Sequence, residues 1–299
     1  MTFIGFFLLP WLVIFAFPLH SPGHVQLMKN HFLAYCTLFG NFSSGAHGYA
    51  TVGTLAHLWT VTLEEQFYIV WPLTLSLLLR IRKGAVWVAL PFLLAGTVAF
   101  RMHLIGHAPH PYIWTNTLAR LDPLLVGIAI ACWRHTHPAR PGWLIPTIKL
   151  MVGMLAVYAV SLAPSVDTQS KNIGWQYLAT AGGFGLILDS TLSFTRNPFA
   201  LLLSQRPLVW LGKLTYGLYV YHVLGLEIGG ELADHLYRHQ VITNANVLLP
   251  FRSLVSLGFT VVISALSYRY FESFFLRLKE RFSRVKSRPV ESKSELAPN

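Results

Sequence analysis

Eight stretches of this sequence, residues 3–19, 57–79, 85–105, 115–133, 143–163, 175–193, 208–229 and 247–270, are apolar and of membrane-crossing length. A helix needs about 20 predominantly apolar residues to cross the hydrocarbon layer. Inside that layer every backbone amide must be satisfied within the protein, so such segments are confined to spanning helices. Composition agrees: 54% of residues are hydrophobic and only 12% are charged, whereas soluble domains carry about 25% charged residues. The expected fold is therefore all-α, a polytopic membrane helix bundle of about eight transmembrane helices. No polar stretch is long enough to form a second domain. Residues 1–276 read as one transmembrane domain and residues 277–299 as a basic tail at the membrane surface.

Lys and Arg alternate from loop to loop. Arg80, Arg82 and Lys83 follow the second span, Arg134 and Arg140 the fourth, and Arg196 and Arg206 the sixth. The tail adds Arg277, Lys279, Arg281, Arg284, Lys286 and Arg288, while the intervening loops carry few basic residues. Cytoplasmic loops are the ones enriched in Lys and Arg, which places both termini in the cytoplasm and requires an even number of spans. The opening MTFIGFFLLPWLVIFAFPLH lacks a basic leader, so it reads as a transmembrane start rather than a signal peptide. The net charge of +11 is spread over short loops and the tail, which argues against a nucleic-acid partner. Cys36 and Cys132 are far apart, so no disulfide or metal framework is expected. His103, His107 and His110 have ligand-like spacing, but no acidic or Cys ligand is near in sequence and Pro109 interrupts the helix; no metal is expected.

Ionisable groups inside spans are costly, by about 2.5–3.5 kcal/mol each on insertion scales, and mark function by default. The segment HLWTVTLEEQFYIVWPL at 57–73 carries two. At 100° per residue, Glu64 shares a face with His57, Thr60, Tyr68 and Trp71, while Glu65 points toward Leu58, Val61, Ile69 and Pro72. Glu65 is thus the structural candidate, needing a partner or a proton. In LARLDPLLVG at 118–127, Arg120 and Asp122 face different ways. Each is expected to meet another helix, with Arg120 a candidate counter-charge for a glutamate. In WLGKLTYGLYVYHVLG at 210–225, Thr215, Tyr219 and His222 lie near one face, with Lys213 and Tyr216 close by. An imidazole titrates near neutrality and can move protons, though a hydrogen-bonded core histidine is the bland alternative. SALSYRYFESFF at 264–275 sets Arg269 and Glu272 three apart, an expected ion pair at the exit of the last helix.

Together these four motifs resemble the acyltransferase-3 family of integral-membrane O-acyltransferases. HLWTVTLEEQFYIVWPL is similar to that family's H-L-W-S-L-x-x-E-E-Q-F-Y-L-x-W-P signature, with Thr60 for Ser and Val61 for Leu. ARLDPLLVG resembles its R-x-D-x-L-x-x-G element, and LGKLTYGLYVYH its L-G-x-x-S-Y-x-x-Y-L-x-H element, with Thr215 for Ser and Val220 for Leu. SYRYFESFF is similar to the closing Y-R-x-x-E-x-P-F, with Phe274 in place of Pro. The resemblance runs from about residue 1 to 282. Family members usually have about ten spans, including an initial helix with a histidine thought to be catalytic, then a second helix and an R-x-x-R-I-x-P segment. Against that pattern the chain reads as N-terminally incomplete, and His20, His24 and His31 do not match the missing histidine.

The resemblance implies transfer of an acyl group, often acetyl, from a cytoplasmic acyl-CoA to a hydroxyl of a surface or membrane-linked glycan at a bacterial inner membrane. It implies no bound cofactor, with acetyl-CoA as a substrate and the lipid bilayer, acyl donor and hydroxyl acceptor as partners. Under it Glu64, His222, Tyr219 and Arg120 are the catalytic candidates. Glu64 would orient or charge the base, His222 and Tyr219 would handle protons, and Arg120 would balance Glu64 or bind the acceptor. His57, Trp59, Tyr68, Asp122, Tyr216 and Lys213 are candidates for substrate binding. Arg80, Arg82, Lys83 and Lys213 would suit the donor's phosphates. Two alternatives stay open on sequence: a lipid-linked glycan transporter, and a non-catalytic remnant of the family.

Overall fold

The computed structural model describes residues 31, 33–49, 56–82, 84–108, 110–138, 142–163, 172–193 and 198–282. Among them all regular structure is helical. The expected span at 3–19, Lys83, and the tail beyond residue 282 lie outside the described residues. The described residues divide into two compact units, one within residues 19–209 and the other within 210–282.

The first unit contains α1 (Gly40–His47), α2 (Trp59–Ile81), α3 (Ala85–Leu104), α4 (Tyr112–Thr115), α5 (Asp122–Thr136), α6 (Leu144–Ser161), α7 (Ile173–Ser193) and α8 (Pro198–Leu203). α9 (Arg206–Lys213) follows in the chain. The expected span at 115–133 is broken rather than continuous. A 3-10 turn occupies Thr117–Arg120, its start capped by the Asn116 side chain, which accepts from the Leu118 amide at 3.0 Å. Asp122 and Pro123 then restart the chain as α5. An acidic residue in the first turn complements the positive end of the helix dipole, and Pro there forfeits no helical bond.

α3 packs on α5 through Val86, Leu90, Leu125 and Ile128, all buried. α6 meets α7 at backbone distance. A Cβ on Gly153 would lie 2.7 Å from the Gly183 carbonyl oxygen, so only glycine permits this approach. Small residues at such crossings are how membrane helices gain dispersion contacts without help from water. α3 and α6 are long and apolar enough to cross a membrane.

The second unit holds α10 (Thr215–Arg238), α11 (Ala245–Ser267), a π-helical turn at Tyr268–Glu272 and α12 (Ser273–Phe282). The stretch Ala245–Leu278 is the third described helix long and apolar enough to cross a membrane. α10 and α11 pack through a stripe of small residues. A Cβ on Gly225 would meet Thr260 Oγ1 at 2.1 Å, and one on Gly229 would meet Ser256 Oγ at 2.1 Å. Ser256, Thr260 and Ser264 recur every four residues along α11, and the hydroxyls of Thr260 and Ser264 bond back to the carbonyls of Ser256 and Thr260.

Candidate functional site

Asp122 is held by a residue the motifs did not single out. Arg101, near the end of α3, grips it in a fork: Nη1 donates to Oδ2 at 2.7 Å and Nη2 to Oδ1 at 2.9 Å. The same guanidinium donates to the carbonyls of Ala119 and Gly174, at 2.7 and 3.0 Å. Both side chains are 0% exposed. The carboxylate therefore meets another helix, α3, and not its neighbour Arg120.

Arg120 faces aromatic rings. Its guanidinium carbon lies 4.1 Å from the Tyr177 ring centre, 5.7 Å from Trp114 and 6.0 Å from Trp59. Such contacts stabilise a guanidinium by about 0.5–2 kcal/mol depending on desolvation. Among the described residues no carboxylate pairs with it, so the expected pairing with Glu64 is not formed. The indole N–H of Trp114 in this cluster is buried without a hydrogen-bond partner. Tyr49 lies in the same field: burial pushes its phenol up, while the Arg120 charge pulls the other way.

Glu64 and Glu65 lie on α2, Glu64 exposed and Glu65 half-buried. Neither forms an ion pair with a described residue. Tyr68, one turn on from Glu64, is 60% exposed. The buried face of α2 is instead the one bearing Trp59, Thr62 and Gln66. Thr60 Oγ1 donates to the His57 carbonyl at 3.1 Å, which closes the turn that precedes this face.

Gln66 and Asn41 form a hub that sequence reading missed. Gln66 Nε2 donates to Asn41 Oδ1 at 2.8 Å and to the Leu38 carbonyl at 2.5 Å. Its carbonyl oxygen accepts from Thr117 Oγ1 at 2.5 Å. Asn41 Nδ2 donates to Thr117 Oγ1 at 2.8 Å and to the Thr115 carbonyl at 3.0 Å, and its amide donates to Thr62 Oγ1 at 3.1 Å. This network ties α1, α2 and the α4–α5 connection together beside the two glutamates. Next to it, the fully buried His31 bonds Ser43 Oγ through Nδ1 at 2.9 Å. Burial, then the nearby His47, holds its imidazole below the ordinary value of 6.5.

A second charge cluster joins the other end of α5 to α6 and α7. Asp189 Oδ1 accepts from Arg134 Nε at 2.5 Å, and Oδ2 from Lys149 Nζ at 2.6 Å. Arg134 also donates to Ser193 Oγ. Arg134 is thus engaged in packing and is not a free loop charge.

In the second unit, Tyr219 and His222 are neighbours on α10, with ring centres 5.6 Å apart. His222 Nδ1 lies 2.6 Å from the Tyr219 carbonyl oxygen, so as an N–H donor it is oriented by its own helix. Tyr216 is half-buried and Lys213 exposed. The Arg269–Glu272 pair expected from i,i+3 spacing is not formed. The π turn widens the helix there and carries the two residues off a common face. Arg269 lies over the Tyr270 ring at 5.6 Å, and Glu272 is buried at 5% exposure with Oε1 unpartnered.

Comparison with known proteins adds a family. The acyltransferase-3 model, described as an acyltransferase domain, matches residues 2–269. Similar curated proteins include the peptidoglycan O-acetyltransferase OatA of Listeria monocytogenes, 24% identical over 73% of this chain and 35% of its own length. The O-acetyltransferase OatA of Staphylococcus aureus (strain NCTC 8325) is 27% identical over 73% of this chain and 36% of its own. A protein of S. aureus (strain COL) with an inferred O-acetyltransferase name is 28% identical over 74% and 36%. The chain thus spans just over a third of the length of the curated relatives it matches. No solved structure matches it. With the family model covering all of the first unit and most of the second, the chain belongs to the acyltransferase-3 family.

Proposed function

We propose that the chain is a membrane O-acyltransferase that moves an acyl group, acetyl in the first instance, from a cytoplasmic acyl-CoA to a hydroxyl of a cell-surface or membrane-linked glycan. One observation carries the proposal: the acyltransferase match over residues 2–269, with relatives whose printed names are O-acetyltransferase. It extends to eight spans in a bacterial inner membrane, residues 1–276 forming the transmembrane domain with both termini cytoplasmic and residues 277–299 the basic tail.

Acyl transfer to a hydroxyl needs a base for the departing proton and donors for the tetrahedral oxyanion. In this proposal Glu64 charges or orients the base, and His222 with Tyr219 carries the proton and hydrogen-bonds the reacting oxygens. Arg120 takes part through the acceptor rather than through Glu64, with which it forms no pair. Trp59 stands beside Arg120, Tyr68 lies one turn on from Glu64 along α2, and His57 sits in the turn that precedes this helix. Tyr216 and Lys213 would contact substrate on the α10 side, and Arg80 and Arg82, both exposed, would meet the donor's phosphates. Asp122 would shape the acceptor end indirectly, since Arg101 occupies both its oxygens.

The test is an envelope assay in a bacterial host that expresses the full chain. Wild type should add alkali-labile acetyl esters to the host glycan, detectable by mass spectrometry. Glu64→Gln and His222→Phe, checked for membrane insertion, should each lower the ester by roughly 10²–10⁴-fold, the usual range for a lost acid or base. Unchanged ester content in His222→Phe would reduce that histidine to packing. Substrate moved across the membrane without ester formation would favour the transporter instead.

A further inference from the structure

A groove of about 220 Å³ lies within the first unit, between α5 and α7, and neither the glutamates nor the histidine belong to it. One wall is the α5 stripe Val126, Gly127 and Ile130; the other is the α7 stripe Ala181, Phe184 and Leu188. These positions recur at three- and four-residue spacing, so each stripe is one helix face. Polarity is confined to one end, where Arg120, Asp122, Tyr177 and Thr180 border the groove; both carboxylate oxygens of Asp122 are taken up by Arg101, which leaves Arg120 as the unneutralised charge there. Along α7 from Tyr177 to Leu188 the helix rises about 16 Å at 1.5 Å per residue. That is close to the thickness of one leaflet's hydrocarbon, half of about 30 Å.

The occupant must satisfy both ends. Rings cover the faces of the Arg120 guanidinium, and no described carboxylate neutralises it, so its N–H edge is suited to an anion. A guanidinium matches phosphate oxygens in pairs. Beyond Thr180 the lining offers a sugar no hydrogen-bonding side chain, which leaves hydrocarbon as the matching chemistry.

We propose that this groove binds a phosphate-bearing membrane lipid, with the phosphate on Arg120 and one acyl chain lying between α5 and α7. This goes beyond acyl transfer and holds whether or not the chain performs it. Gly127 keeps the channel open. No heavy atom lies within 4 Å of a Cβ built there, so a larger side chain would enter the groove rather than collide with the protein.

Binding can be read directly by native mass spectrometry of the full chain purified in neutral detergent. Three probes separate the parts of the ligand: phosphatidylglycerol, diacylglycerol without phosphate, and glycerol 3-phosphate without chains. Wild type should retain phosphatidylglycerol at least tenfold better than diacylglycerol, and millimolar glycerol 3-phosphate should not displace it. Arg120→Gln should remove that preference. Gly127→Leu should cut retention about tenfold, while Gly127→Ala should leave most of it. Equal retention by Gly127→Leu or Arg120→Gln would overturn the proposal, and so would displacement by glycerol 3-phosphate. If Gly127→Leu does not fold, phosphatidylglycerol with a diazirine in its acyl chain decides on wild type. Labelling within residues 123–130 or 177–188 is expected, and labelling confined to other segments would refute the site.

Discussion

Arg101 and Asp122 offer the most decisive perturbation. Removing one partner from a buried, hydrogen-bonded ion pair costs about 3–5 kcal/mol, because the survivor is left charged without water. Here the conditions for that figure are met, since both groups are fully buried and the fork is bidentate. In Asp122→Ala, Arg101 keeps only the carbonyls of Ala119 and Gly174, which cannot neutralise it. A loss of about 4 kcal/mol corresponds to roughly a thousandfold shift in the folding equilibrium, at 1.4 kcal/mol per tenfold. Partners found by the unfolded chain within the membrane pull the measured value toward the lower end of the range. Arg101→Met should cost a similar amount. The double variant Arg101→Met/Asp122→Leu should cost much less than the sum, since it removes both charges and leaves a packed apolar pair. The assay is reversible denaturant unfolding in mixed micelles, followed by tryptophan fluorescence, on all three variants and the wild type. Additive costs, or single variants within 1 kcal/mol of wild type, would refute the assignment of this pair as a structural clamp. An Asp122→Asn variant that folds normally yet loses acylation would instead return Asp122 to direct substrate contact.

Three further outcomes follow from the geometry. Gln66→Leu strands the Leu38 carbonyl and removes the acceptor of the Thr117 hydroxyl; each buried group left unsatisfied costs about 1–3 kcal/mol, which should appear as faster hydrogen exchange in residues 40–47. Gly225→Val should separate α10 from α11, because its first carbon would fall 2.1 Å from Thr260 Oγ1. Overpacking of this kind costs about 1–3 kcal/mol, and Gly225→Val/Thr260→Ala should recover part of the loss of thermal stability. Burial, then the charge of His47, holds the His31 imidazole below its ordinary 6.5. At pH above 6.5 the folded and unfolded states carry the same proton count at this site; as pH falls below 6.5 the unfolded chain protonates first, so stability is lost. Protection factors for amide exchange in residues 33–47, referred to the intrinsic rate at each pH, should fall on acidification from pH 7 to 5, and His31→Phe should flatten that dependence.

The helices were readable because hydropathy and breaker residues report directly on burial in lipid. Expected spans at 57–79, 85–105, 143–163 and 175–193 lie within two residues of α2, α3, α6 and α7 at each end. The break in the fourth span was harder to see, since it depends on Asn116 capping and on Asp122 and Pro123 opening a new helix. Arg101 was overlooked because a lone basic residue near a helix end reads as a snorkelling anchor. Its partner lies 21 positions away in the sequence, beyond any periodicity. The Asn41–Gln66–Thr117 hub escaped for the same reason, with contacts spanning up to 76 positions. The Arg269–Glu272 expectation failed on local geometry, since i,i+3 reasoning assumes an α-helix where the backbone forms a π turn.

The clamping of α5 also has an electrical meaning. The Asp122 carboxylate at its start is matched by Arg101 on α3, and the Arg134 guanidinium near its end by Asp189 on α7. A membrane potential acts with about 2.3 kcal/mol per elementary charge per 100 mV. A field along α5 would act on Asp122 and Arg134 in opposite directions, so the contributions of these two charges to any pull on the helix cancel. Arg120, two residues before α5 and without a carboxylate partner among the described residues, is a charge on which such a field can act unopposed.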